Sequence, residues 1–141
     1  MLLVETAAIP RGTETILLVE PEPETRKLAL FMLSRLGYCV LEARNAAEAA
    51  DLIDRYEGAV DLLLTEAVMS RVNGHELAHR LASDRPALRI LFLSDASYER
   101  LSRRVAGRKG LSFLSRPFTM RILAGKVRQA LDAPRAATAG V

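Results

Sequence analysis

The chain has 141 residues, of which 50% are hydrophobic and 26% charged, and its formal net charge is +3. This length suits one domain, and the composition differs from the low-hydrophobicity, high-charge pattern of disordered chains. No apolar run approaches the roughly 20 residues that span a bilayer, and the first ten residues lack the basic start of a signal peptide. We therefore expect one folded cytoplasmic domain without membrane insertion.

Short apolar runs alternate with longer amphipathic ones between residues 15 and 132, which we predict to be the domain. The flanking residues, 1–14 and 133–141, show no sustained periodicity and are predicted to be a linker and a C-terminal tail. Five further stretches, one after each apolar run, follow the 3.6-residue period of a helix. Strands are predicted for the five apolar runs, at 15–20, 38–42, 60–65, 88–94 and 111–114.

The strand-like runs at 16–19, 62–64 and 90–93 are apolar without alternation, as expected where helices cover both faces of a sheet. The pattern therefore predicts a doubly wound α/β fold, with a five-stranded parallel sheet flanked by five helices. Cys39 is the only cysteine, which excludes an internal disulfide, and its apolar neighbours predict a buried strand position.

Polar or ionisable residues stand where four of the predicted strands end. Because the carboxyl ends of parallel strands meet at one edge of a doubly wound sheet, these side chains are expected to lie close together. They are Glu20, Glu66, Ser94 and Arg116.

This order, with Pro117-Phe118 after the fifth strand, resembles the response-regulator receiver domain family of two-component signalling over about residues 15–131. The resemblance implies a flavodoxin-like fold. It also implies a site with paired acids for Mg²⁺, an Asp phosphoacceptor, a Ser or Thr, and Lys-Pro. By this resemblance, Glu20 and Pro21 stand at the positions of the paired acids, and Glu66 stands at the phosphoacceptor position. Ser94 stands at the hydroxyl position and Phe113 at the position of the switch aromatic. Arg116-Pro117 stands at the Lys-Pro position, where the family has a cis peptide bond.

Three of these positions depart from the family's pattern. Pro21 has no carboxylate, Glu66 is one methylene longer than Asp, and Arg116 replaces Lys. A poor Mg²⁺ site follows, since that ion requires hard oxygen ligands. We therefore expect a degenerate receiver with no cofactor, no metal and no enzymatic activity. In it, a Glu66–Arg116 ion pair replaces the missing metal and phosphate, and Glu66 imitates the phosphorylated state.

Basic residues are concentrated near the C-terminus, where nine occur between residues 100 and 131 without an acid. The segment has no aromatic residues interleaved with the basic ones as stacking platforms and no recognisable helix-turn-helix, which argues against nucleic acid as a partner. We expect a protein partner, such as a histidine kinase or a linked signalling domain, or a homodimer through the fourth helix, fifth strand and fifth helix. The predicted interface residues are Arg100, Arg103, Arg104, Arg108 and Arg121.

Three alternatives remain open. Another ligand or phosphosite could switch a receiver of this kind, and Glu20 and Glu66 could be ordinary solvated carboxylates. The run His75-Glu76-Leu77-Ala78-His79 also matches the zinc-peptidase pattern, with Glu99 as a conceivable third ligand. Against the peptidase, Leu77 is expected to face the core and both histidines to lie outside. The sequence is equally compatible with a free-standing regulator and with a piece of a hybrid kinase.

Overall fold

The computed structural model describes residues 8–67, 74–95 and 112–134. Within them, five strands form one parallel sheet in the order β2-β1-β3-β4-β5. The strands are β1 (Thr15–Val19), β2 (Cys39–Ala43), β3 (Leu62–Glu66), β4 (Arg89–Ser94) and β5 (Phe113–Ser115). The described helices are α1 (Pro23–Arg35), α2 (Ala46–Arg55), α3 (Gly74–Asp84) and α4 (Met120–Asp132).

The predicted doubly wound parallel sheet is confirmed, and each strand overlaps its predicted run. The predicted helix at 96–110 lies outside the described residues, so α4 is the helix that the sequence places fifth. Strand order reverses between β1 and β3, which opens a crevice at the carboxyl ends of these two strands. This crevice is where the polar strand ends meet.

Two hydrophobic cores, one on each face of the sheet, explain the apolar runs without alternation. In β1, Ile16 and Leu18 pack under α1 and α4, whereas Leu17 and Val19 pack under α2 and α3. All four side chains are fully buried. A strand covered on both faces has no solvent side for a polar residue to occupy.

Local capping starts the helices where the sequence supplies an acceptor. The Asn45 side chain accepts a hydrogen bond from the Glu48 backbone N–H at 2.8 Å and caps α2. The Thr119 hydroxyl accepts one from the Ile122 N–H at 3.2 Å and caps α4. Each side chain satisfies a backbone donor that a helix start leaves without an intrahelical partner.

The prediction that Cys39 is buried was wrong. Cys39 is exposed, because it opens β2, which lies at the edge of the sheet and is incompletely covered by helices. Residues 8–14, predicted to be part of a linker, contain no helix or strand, but Ile9 packs against one of the cores. Among the described residues, no helix combines the length and apolar character needed to cross a membrane.

Truncation in the central strand should cost far more stability than truncation at the surface. Leu64 in β3 is fully buried, so Leu64→Ala should lower the free energy of unfolding by about 2–5 kcal/mol through lost burial and the cavity left behind. Leu28→Ala is the matched control, since Leu28 is 48% exposed on α1. Urea denaturation measures both, and equal losses would contradict the assignment of the core.

Candidate functional site at the carboxyl edge of the sheet

The sheet brings together the four residues that the sequence places at strand ends. Glu20 follows β1, Glu66 and Ser94 end β3 and β4, and Arg116 follows β5. The Arg116 backbone N–H donates to the Ser94 carbonyl at 2.9 Å, which extends the β4–β5 ladder to the site. Glu20, Glu66 and Ser94 are 2%, 6% and 2% exposed. The acids therefore lie in the crevice and not, as the solvated alternative requires, in open water.

One guanidinium contacts both buried carboxylates. Arg116 Nη1 donates to Glu66 Oε2 and lies 3.6 Å from Glu20 Oε1. The Arg116 side chain keeps 32% of its surface exposed, so the ion pair spans the boundary between solvent and interior. The contact between Glu66 and Arg116 expected from the sequence is present, and Glu20 joins it as a second acid.

Burial sets the electrostatics of Glu20. Loss of solvent raises the pKa of its carboxyl above the ordinary value, and the Glu22 backbone N–H and the Arg116 charge only partly oppose this shift. The Glu22 N–H donates to Oε2 at 2.8 Å. Among the described residues, neither Glu20 Oε1 nor the Ser94 hydroxyl has a hydrogen-bond partner. The site thus keeps two buried polar atoms with unused hydrogen-bonding capacity.

Arg26, which sequence reasoning missed, holds the backbone that carries Glu20. Its Nη1 donates to the Glu20 carbonyl at 2.8 Å, and its Nε lies 3.3 Å from Glu42 Oε1 on β2. Only 13% of the Arg26 side chain is exposed. The available signal in the sequence was a basic residue early in the helix that follows Glu20. The direction of its side chain, however, depends on how α1 packs on the sheet.

A glycine is required where α3 meets the end of β3. The Gly74 N–H donates to the Ala67 carbonyl at 2.9 Å, and a Cβ on Gly74 would overlap the Glu66 carbonyl oxygen. Any larger residue would push α3 away from the strand that carries Glu66. The start of α3 therefore contributes to the position of this acid.

A surface cavity of about 410 Å³ opens beside the site. Arg116 forms part of its wall, as does Pro117, whose peptide bond with Arg116 is cis as the family resemblance implies. Among the described residues, the lining consists of Thr25, Leu28, Asp95, Arg116, Pro117 and Phe118.

The remaining predicted site residues occupy separate places. Pro21 is exposed in the turn between β1 and α1. Phe113 is buried on β5, where its ring lies 5.6 Å from that of Phe92. Arg121 is exposed on α4. The other predicted interface residues, Arg100, Arg103, Arg104 and Arg108, lie outside the described residues.

The expectation that both histidines lie outside was wrong for His75. Its ring stacks on Phe92 with centroids 4.3 Å apart, because the first turn of α3 turns this side chain toward β4. His79 is exposed and Leu77 is buried, both as predicted, and Ala78 and Leu81 are buried on the same face of α3. Within residues 8–67, 74–95 and 112–134, no three His, Cys, Asp or Glu side chains are grouped to hold a metal ion. Glu99 lies outside these ranges.

Comparisons with known proteins agree with this architecture. The family described as the response regulator receiver domain matches residues 16–128. The response regulator receiver protein CpdR of Brucella abortus (strain 2308) is 31% identical, over 84% of this chain and 97% of CpdR. Sensor kinase CckA of the same organism is 30% identical over 92% of this chain, which spans only 14% of that kinase. The crystal structure of the receiver domain from hybrid histidine kinase CckA has a TM-score of 0.69 at 30% identity, covering 84% of this chain and 99% of that one.

Titration of Glu20 should make stability fall as pH rises. Because its pKa is raised in the folded state, the folded chain binds this proton more tightly than the unfolded chain does. The free energy of unfolding should therefore decrease as the pH rises from 4.5, the ordinary pKa of this carboxyl, to its raised pKa in the folded protein. Glu20→Gln should remove this decrease, whereas Glu57→Gln in an exposed loop should keep it. Urea unfolding between about pH 4 and pH 8 measures both, and a carboxyl titration of Glu20 below its ordinary pKa would contradict the prediction.

Removing the guanidinium should destabilise the protein at neutral pH. Arg116→Met keeps much of the aliphatic stem but leaves two buried carboxylates without their cation, which should cost about 2 kcal/mol after allowance for the partial exposure of Arg116. The loss should shrink at acidic pH, because the raised pKa of Glu20 leaves that carboxyl protonated there. Arg55→Met, which breaks the exposed pair with Asp51, is the control. Equal urea midpoints for wild type and Arg116→Met would exclude a structural role for the ion pair.

Proposed function

The chain belongs to the response regulator receiver domain family of two-component signalling, and we propose that it signals through protein contacts without standard Mg²⁺-dependent phosphorylation. The observation that carries the proposal is the position of the Arg116 guanidinium, in contact with Glu66 and 3.6 Å from Glu20. In this proposal Glu66 and Arg116 form a permanent ion pair at the place where other receivers hold a metal ion and a phosphoryl group. The protein is then a signalling module and not an enzyme.

The donor set at this edge suits a guanidinium better than a divalent cation. Mg²⁺ prefers about six oxygen ligands in octahedral geometry. Pro21 offers no carboxylate, Glu66 is engaged by Arg116, and Glu20 lies near the same positive charge. A divalent ion would have to displace a fixed cation and would still lack an acid. These residues do not fit Mg²⁺, and we assign no cofactor.

The same geometry opposes phosphoryl transfer to Glu66. That reaction depends on a positioned nucleophilic oxygen and on cations that neutralise the charge of the transferred group. Here Oε2 of Glu66 already accepts from Arg116, and only 6% of the Glu66 residue is exposed. Glu66 would then place a carboxylate near the phosphoryl position without any covalent modification. This supports, as part of the proposal, a site that imitates the phosphorylated state.

Output would pass through protein surfaces near β5 and α4. Arg121 lies exposed on α4, where its charge would suit an acidic partner or the acidic surface of a second copy. The other four predicted interface residues lie outside the described ranges, and their part in the interface is proposed from the sequence alone. We propose a histidine kinase or a linked signalling domain as partner and the cytoplasm as location. Similarity to part of a sensor kinase supports this choice. Nucleic acid is not proposed.

A second candidate keeps the switch but gives it another input. The cavity beside Arg116 and the unused hydrogen-bonding capacity of Ser94 and Glu20 would suit a small polar ligand or a different phosphosite. Such a ligand would have to compete with Glu66 for the guanidinium. This candidate predicts that the contacts of Arg116 change on ligand binding while Glu66 stays unmodified.

Acetyl phosphate with Mg²⁺, followed by intact-mass measurement and peptide mapping, tests the proposal. Wild type should gain no phosphoryl group at Glu66, because the nucleophile is engaged and the metal ligands are incomplete. The triple variant Pro21→Asp, Glu66→Asp, Arg116→Lys restores the family's residues and should gain one phosphoryl group at position 66. The same variant with Glu66→Asn instead is the control and should gain none.

Three results would change the conclusion. Phosphorylation of wild-type Glu66 would overturn the proposal. Phosphorylation at another residue of wild type would favour the second candidate. Failure of the triple variant, if it folds as judged by circular dichroism, would mean that features beyond these three substitutions block the chemistry.

A further inference from the structure

Arg128 on α4 joins several parts of the chain at the edge of the domain opposite the site. Its Nη2 donates to Glu14 Oε2 at 2.6 Å and to Asp132 Oδ1 at 2.9 Å. Its Nη1 donates to the Arg11 carbonyl at 3.1 Å, with the Tyr38 hydroxyl at 3.4 Å. The Arg128 and Glu14 side chains are only 25% and 30% exposed. This is a network and not an isolated surface pair, which would contribute little.

Residues 9–14, here called the N-terminal clasp, are also held by backbone contacts. The Gly12 N–H donates to the Leu36 carbonyl at 3.1 Å, and the Glu14 carbonyl accepts from the Cys39 N–H at 3.0 Å. A Cβ on Gly12 would overlap the Tyr38 ring and approach Arg128 Nη1 to 2.6 Å. The clasp therefore fits closely between the end of α1, the start of β2 and α4.

The helix α4 connects the clasp to the functional site. It has 13 residues and, at 1.5 Å per residue, is about 20 Å long. Its N-cap Thr119 lies three residues after Arg116, and Arg128 and Asp132 lie in its last turns. Leu123, Ala124 and Val127 fasten its inner face to the core. One packed helix thus carries an ion-pair network near each end.

From this arrangement we propose that the clasp and the Arg116 site are coupled through α4, so that binding or displacement at residues 9–14 is an input to the site. Loss of the Glu14–Arg128 contact removes one of the contacts that hold the last turns of α4 in place. A packed helix shifts as a unit more readily than it bends, so its first turn and the Arg116–Phe118 connection move with it. By linkage, loss of the Arg116 contacts must loosen the clasp by the same factor.

Native-state amide hydrogen exchange of the full chain tests the coupling. The Arg116 amide, bonded to the Ser94 carbonyl, reports on the site, and the Cys39 amide, bonded to the Glu14 carbonyl, reports on the clasp. Leu64 in the central strand reports on global unfolding. Glu14→Gln and Gly12→Ala should speed exchange at both Cys39 and Arg116 by about fivefold or more relative to Leu64. Arg116→Met should speed exchange at Cys39 in return.

Two variants serve as matched controls. Asp51→Asn breaks an exposed ion pair on α2. Gly125→Ala adds a methyl group to α4 at a position where, apart from the helix's own backbone and the two adjacent residues, no atom of the described part of the chain lies within 4 Å. Neither variant should change the exchange rate of the Arg116 amide relative to that of the Leu64 amide. If Gly12→Ala does not fold, Glu14→Gln, which removes one charge and almost no volume, decides the test.

The coupling is excluded if exchange at the Cys39 amide accelerates while exchange at the Arg116 amide changes only as much as at Leu64. The clasp would then be a local contact. The coupling is also excluded if all three amides accelerate together, or if a control produces the same pattern. None of these outcomes depends on whether Glu66 accepts a phosphoryl group, so the coupling and the proposed function can fail separately.

Discussion

The site depends on one guanidinium that lies against two buried carboxylates. Glu20 and Glu66 end neighbouring strands of a parallel sheet, so the fold itself brings two negative charges into a poorly solvated crevice. Charges in such a place are costly unless a cation and hydrogen bonds compensate them. Arg116 supplies both through its planar guanidinium. A lysine, with one compact ammonium group, would not offer the same planar set of donors.

Several weaker contacts keep the three side chains in place. Arg26 holds the Glu20 carbonyl, the Ser94 carbonyl accepts from the Arg116 backbone, and Gly74 allows α3 to approach the end of β3. Each contact involves backbone, so the positions of the charged groups follow from the packing of strands and helices. The site is therefore best understood as a property of the sheet edge, to which α1, α3 and α4 all contribute.

The arrangement also bears on how a receiver fold can serve signalling with altered chemistry. A metal ion and a phosphoryl group can bind and leave, whereas an internal arginine remains. Under the proposed function, this site would respond through changes in packing near Arg116 and not through a covalent group. The helix α4 reaches from this position to the clasp at the opposite edge. Proximity of both charged networks to one helix provides a physical basis for such a response.

Sequence patterns predicted most of the architecture and the membership of the site. Apolar runs without alternation indicate strands that are covered on both faces, and parallel strands place their carboxyl ends at one edge of the sheet. The sequence alone was therefore enough to group the residues at the strand ends, which are Glu20, Glu66, Ser94 and Arg116. The two wrong expectations, for Cys39 and His75, both concern side chains whose direction depends on the neighbouring element. An edge position exposed Cys39, and the packing of α3 turned His75 onto Phe92.

What the sequence by itself determined is the order of elements and the residues at the strand ends, because both follow from local periodicity and from the rule for parallel sheets. Only the tertiary structure decided that Arg116 reaches Glu20 as well as Glu66, that Arg26 holds the backbone of Glu20, and that Arg128 holds residues 9–14. The contacts of Arg116 and Arg128 join residues far apart in the chain, and all three arginines act through long, flexible side chains. Their partners are set by helix packing on the sheet, which no local pattern encodes.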